Sequence, residues 1–122
     1  SPADIDLALR KARLACDLRP GLYAYINTLG VALLRAGLWA EAEATISRAI
    51  SLHTSEHGAP HPLDLAARAV ALHGLGQSAL ARAELERAAP LLLQPPYRDD
   101  EECRLFLSEA QALLPPVSYT HL

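Results

Sequence analysis

The chain has 122 residues, a formal net charge of -3, and 51% hydrophobic residues with only 5% aromatic ones. That length is one domain's worth, and the mild acidity provides no sequence-wide basic field for a phosphate backbone, which argues against a nucleic-acid partner. Alanine and leucine dominate while one Phe and one Trp are present, so the composition predicts an all-α fold held by many small contacts between close helices.

The longest purely apolar runs, such as residues 90–93, fall far short of the roughly 20 residues of a spanning helix, so no membrane partner is expected. No secretory signal is recognisable. Cys16 and Cys103 are far apart in sequence and belong to no C-x-x-C pair. They are read as reduced thiols, with a cytoplasmic location and no cofactor expected.

Residues 1–20 hold one helical element, Ile5 to Leu18. Ile5, Ala8, Leu9, Ala12 and Ala15 form one apolar stripe and Leu7, Leu14 and Leu18 another, more than a single following hairpin covers. A further helix is expected in front of it. With no methionine in the sequence, the chain is expected to be a fragment of a longer protein. Arg10, Lys11 and Arg13 read as a solvated basic face.

Residues 21–55 read as a helical hairpin. Ile26, Leu29, Gly30 and Leu33 fall at i, i+3, i+4 and i+7, and Gly30 admits a close partner backbone. Gly37 ends the first helix because it takes positive φ at little cost. Trp39, Ala42, Ile46, Ala49 and Ile50 form the answering face, with Trp39 expected to be a large buried side chain, and Glu41, Glu43, Ser47 and Arg48 are left for water.

The next stretch, "HTSEHGAPHP", carries Gly58, Pro60 and Pro62 and predicts a loop over 53–62. His53, His57 and His61 are spaced by four, and imidazoles on one helix face can share a zinc. Gly58 and Pro60 are expected to break any helix aligning them, so no metal site is predicted.

Residues 62–93 repeat the hairpin pattern. Leu65, Ala69 and Leu72 form a helical face, Gly76 marks the turn, and Ala81, Leu85 and Ala88 belong to the second helix. Arg82 and Glu86 read as an i, i+4 pair on the wet side. Arg68 stands where Leu is expected. After the linker "LLLQPPY", a closing helix is predicted within 98–114. Asp99, Asp100, Glu101 and Glu102 gather at its start, where the dipole and free amides favour carboxylates. Cys103, Phe106, Leu107, Ala110, Leu113 and Leu114 form its inner stripe, expected to cover the exposed face of the last hairpin. The final residues, "VSYTHL" (117–122), resemble the translation of sequencing-adapter DNA and are expected to be a non-native or disordered tail.

Ala8, Ala15 and Leu18 recur as Ala42, Ala49 and Leu52, about 34 positions on, the period of a tetratricopeptide repeat. Leu29 and Gly30, the turn glycine Gly37, and the small residues Ala42 and Ala49 match that family's pattern, and Ala42 reappears with an offset as Ala81. Residues 1–116 thus resemble a tetratricopeptide-repeat array: partial repeat 1–20, repeats 21–55 and 62–93, and closing helix 98–114. The resemblance implies an α-α superhelix of antiparallel hairpins, a TPR-like solenoid. The segments "YINTLGVALLRAG", "DLAARAVALHGLGQSALARAELERA" and "DDEECRLFLSEAQALL" are also similar to the repeat region that follows the catalytic domain of planctomycete serine/threonine protein kinases. The kinase's own motifs are missing from this chain. It is therefore not expected to be an enzyme, and the resemblance allows such a catalytic domain upstream in a full-length protein.

In arrays of this family the first helices line a concave surface. The positions carried over are Asn27, Val31 and Arg35 from one repeat and Ala66, Val70 and His73 from the next. The implied partner is a protein or peptide, another domain of the same chain included, with Asn27 bonding a backbone and Arg35 a carboxylate. Two valines and no lysine on this face speak against recognition of a chaperone's C-terminal carboxylate. Ser47, Ser51, Ser78 and Ser108 lack a G-x-S-x-G elbow. The expected function is a protein-protein interaction or intramolecular regulatory scaffold, with a structural spacer or a small enzyme as alternatives.

Overall fold

A computed structural model describes residues 1–115. The described residues contain six α-helices and no strand, in agreement with the predicted all-α class. The helices are α1 (Pro2–Leu18), α2 (Tyr23–Arg35), α3 (Trp39–His57), α4 (Pro62–Gly74), α5 (Ser78–Leu92) and α6 (Glu101–Leu113), with a 3-10 turn at Tyr97–Asp99 before α6. The expected tail at 117–122 lies outside the described residues.

Two hairpins, α2–α3 and α4–α5, close in the same way. At the first turn the Gly37 amide donates to Leu34 O (3.1 Å) and the Leu38 amide to Leu33 O (3.0 Å). At the second, Gly76 donates to His73 O and Gln77 to Leu72 O, each at 2.9 Å. Both are Schellman closures, satisfying helix-end carbonyls that would otherwise lack partners. Each requires a left-handed residue, and Gly37 and Gly76 have φ of 74° and 79°.

The segment between the hairpins corrects the predicted 53–62 loop. Helix α3 continues to His57 and stops only at Gly58, whose φ is 83° and whose amide donates to Thr54 O at 2.8 Å. Residues 53–57 include no helix breaker, and Pro62 takes the first turn of α4, where no amide is needed. The connection is therefore 58–61. Helix α5 likewise runs through Pro90 to Leu92, two residues into the expected linker. Helix α6 begins at the acidic cluster as predicted: Asp100 caps it by accepting the Cys103 amide at 2.9 Å, a bond that pulls its carboxyl below the usual range.

Helix α4 is the centre of the molecule. It packs against α3 and α5, touches α2, and receives α6. Every residue from Pro62 to Leu72 is buried except the half-buried Arg68. A helix with buried residues on every side must be enclosed on all sides. The closing helix α6 completes that enclosure by packing on both helices of the last hairpin, chiefly on α4 and less on α5. Cys103, Phe106, Leu107 and Ala110 join Leu33, Ile46, Leu65 and Leu92 in one core.

Two helical glycines admit large neighbours. A Cβ on Gly30 would stand 2.6 Å from Ile46 Cγ1 and 3.6 Å from the Ile46 backbone nitrogen, so Gly30 admits the α3 backbone together with an α3 side chain. A Cβ on Gly74 would collide with the indole of Trp39, which reaches from the start of α3 to the end of α4. Trp39 is consequently half-buried at a helix junction, not a fully buried core residue. Gly74→Ala should destabilise the fold by about 1–3 kcal/mol through overpacking, although alanine favours a helix by roughly 1 kcal/mol. Trp39→Leu should relieve most of that penalty in a double-mutant cycle. Thermal melts in which Gly74→Ala is neutral or stabilising would remove the indole from this contact.

Candidate functional site

Of the six residues predicted to line a groove, the structure brings three together. Asn27, Val31 and Arg35 line a cleft of about 370 Å³ whose other walls are Ile5 and Ala8 of α1 and Glu102 of α6. Val31, Arg35 and Glu102 also border a second cleft of about 500 Å³, completed by Leu105, Phe106 and the first residues of α6. Two open, partly apolar hollows therefore adjoin where α1, α2 and α6 meet.

The other three do not line it. Ala66 and Val70 are 0% and 4% exposed and belong to the same core as Phe106 and Leu107. Helix α6 packs on α4 where a groove was expected. His73 is half-buried and its Nδ1 lacks a hydrogen-bond partner. Nor do Asn27 and Arg35 point their polar groups at a ligand. The Asn27 amide donates to Asp64 Oδ1. Arg35 pairs with Glu109 at 2.5 Å, and its guanidinium lies 5.0 Å from the centroid of the Phe106 ring. The carboxylate expected from a partner is supplied by this chain's own α6, while Val31 remains an apolar lining residue of both clefts.

Beneath the cleft lies a polar lock that sequence reading missed. Asp64, 1% exposed, accepts hydrogen bonds from Tyr23 Oη at 2.6 Å and from the Asn27 amide. Its burial raises the carboxyl above the usual range, against the opposing pull of those two donors. Tyr23 is raised by the same burial and by donating to Asp64. A second lock centres on Arg68. Its Nε donates to Glu43 Oε1 at 3.0 Å and its Nη1 to Glu84, which is 4% exposed and also accepts from Arg87 at 2.6 Å. Arg68 thus joins α3, α4 and α5. Glu43 is not left to water, and Arg82 has a buried Nε without a partner in place of the expected pair with Glu86. Arg13 finds Glu41 across the α1–α3 junction in a two-pronged contact of 2.5 and 3.0 Å.

The histidines gather more closely than the predicted loop allowed. His53 and His57 share α3 with ring centroids 4.4 Å apart, and His61 lies 5.3 Å from His53. Their outward chemistry is limited, because His53 Nδ1–H donates to Ala59 O at 2.7 Å and His61 Nδ1 accepts the Leu63 amide at 3.1 Å. Burial also lowers the His61 pKa. Among the described residues no three His, Cys, Asp or Glu side chains converge on a metal position. Both cysteines are free; burial raises Cys16 and lifts Cys103 to about 11, so neither is an activated thiolate. No helix of the described residues is long and apolar enough to cross a membrane.

Comparison with family models, with curated proteins and with solved structures finds no match to this chain.

Two measurements check the Asp64 lock. A carbon-detected NMR titration should place the Asp64 midpoint above its ordinary 3.8, because desolvation outweighs the two hydrogen bonds. The contribution of Asp64 to stability is then greatest below that ordinary value and is lost as pH rises through the folded-state pKa. A midpoint below 3.8 would reverse this order of effects. Tyr23→Phe strands one buried carboxylate oxygen and should cost about 1–3 kcal/mol in chemical denaturation at neutral pH; a neutral result would mean that water replaces the phenol.

Proposed function

We propose that this chain is a binding module of the tetratricopeptide-repeat type, which takes a polypeptide segment into the cleft where α1, α2 and α6 meet. The observation that carries this reading is an apolar lining left open between α1, α2 and α6. Val31 borders both hollows, and Leu105 stands 63% exposed at the lip of one. Large apolar side chains rarely gather in an open concavity without a contact to make. Support for the repeat character comes from the two glycine-closed hairpins, whose turn glycines stand 39 residues apart, and from the Leu29-Gly30 pair on a first helix.

In this reading the module performs no chemistry of its own. Tyr23 and Asp64, both raised by burial, are satisfied by each other inside the frame, and burial keeps the Cys103 thiol protonated. The resemblance to kinase-associated repeats extends the proposal to a scaffold or intramolecular regulatory role within a larger protein. A structural spacer would leave the same cleft unused.

Methyl NMR during a peptide-library screen distinguishes these readings. A binding peptide should shift the signals of Val31, Leu105 and Ile5 and leave those of Ala66 and Val70 nearly unmoved. Binding that perturbs only residues remote from the cleft, or no binding across the library, would refute the assignment.

A further inference from the structure

The lining of the two clefts is electrostatically one-sided. Asp4, Asp100, Glu101 and Glu102 contribute carboxylates, and Arg35 is the single cation among the lining residues. Glu109 holds that cation at 2.5 Å, and the Phe106 ring lies against it. Glu101 and Glu102 are exposed and form no ion pair among the described residues. The free charge facing the hollows is therefore negative.

Acid and apolar groups alternate here at a spacing that one ligand can use. Glu101 and Glu102 stand four and three residues before Leu105 on α6, so all three share one side of that helix. Val31 and Ile5 supply the facing apolar contacts from α2 and α1. A partner bearing carboxylates would meet like charge with no free cation to offset it.

We propose that the occupant of this cleft is a cationic amphipathic peptide segment, whose Lys or Arg side chains meet Glu101 and Glu102 while adjacent apolar side chains seat against Val31 and Leu105. The inference rests on the binding role proposed above and specifies the chemistry of the partner. It also reverses the sequence-based expectation that Arg35 recruits a carboxylate. Exposed ion pairs of this kind add little affinity individually. Their main effects are on encounter rate, on rejection of acidic competitors, and on sensitivity to salt.

The test uses three fluorescein-labelled peptides with one leucine pattern and Lys, Ser or Glu at the intervening positions, titrated with the full 122-residue chain and followed by anisotropy. The lysine peptide should bind, and its affinity should fall about tenfold or more in the double variant Glu101→Lys/Glu102→Lys and in high salt. Leu105→Asp, at an exposed position, should abolish binding with an unchanged circular dichroism spectrum. Glu86→Lys, on α5 and outside both clefts, should have no effect. Equal or tighter binding of the Ser or Glu peptide at Val31 and Leu105 would overturn the cationic assignment and leave the binding role standing. Loss of affinity in Glu86→Lys equal to that in the double variant would overturn it as non-specific attraction to an acidic protein. Failure of all three peptides to bind would sink both the assignment and the binding role.

Discussion

Helix α4 lacks a face it can show to water, and the rest of the molecule follows from that constraint. A stretch buried almost continuously from Pro62 to Leu72 requires neighbours on all sides, and α2, α3, α5 and α6 supply them. The two ionisable residues within the stretch test the arrangement. Asp64 is enclosed, and Arg68 is half enclosed; each is stable there because donors or acceptors from other helices complete its hydrogen bonds. Removing one partner of such a group is far more damaging than replacing the whole network with apolar side chains. The polar locks thus fix which helices surround α4 more than they add net stability.

Much of the frame was legible in the sequence because it is encoded locally. Gly37 and Gly76 announced both turns, the apolar stripe at Ile26, Leu29, Gly30 and Leu33 announced the first helix, and the run from Asp99 to Glu102 announced the start of α6. What stayed hidden depends on contacts between distant segments. Periodicity says that a face of α6 turns inward, but not which helix it meets, so Ala66 and Val70 were assigned to an open groove. Their small apolar side chains were the available warning, since a solvated face seldom repeats such residues. Arg68 was a conspicuous exception to the expected leucine, yet nothing local pairs it with Glu43 and Glu84. Breakers at Gly58 and Pro60 were extended backwards to residue 53, although a helix proceeds up to its stop signal.

The same enclosure reshapes the functional surface. Where α6 lies over the face of α4, it removes one hollow and builds a wall of another, with Glu101, Glu102 and Leu105 at its edge. Arg35, assigned from its position as a partner's anchor, becomes the anchor of α6 through Glu109 and Phe106. One internal ion pair therefore changes the sign of the charge that the cleft shows to solvent.

The matched Schellman closures at Gly37 and Gly76 have a consequence for how this architecture tolerates change in length. Each turn fits three residues between paired helices with all three of its amides hydrogen-bonded, so an added residue there would shift one helix against its mate. The 58–61 joint is held more loosely, by its capping bonds at Gly58 and His61 and one side-chain bond from His53 to Ala59 O, and α3 is already four residues longer than α5. Growth, tagging or grafting is accommodated at the seam between hairpins, while the interior of each hairpin has a fixed length.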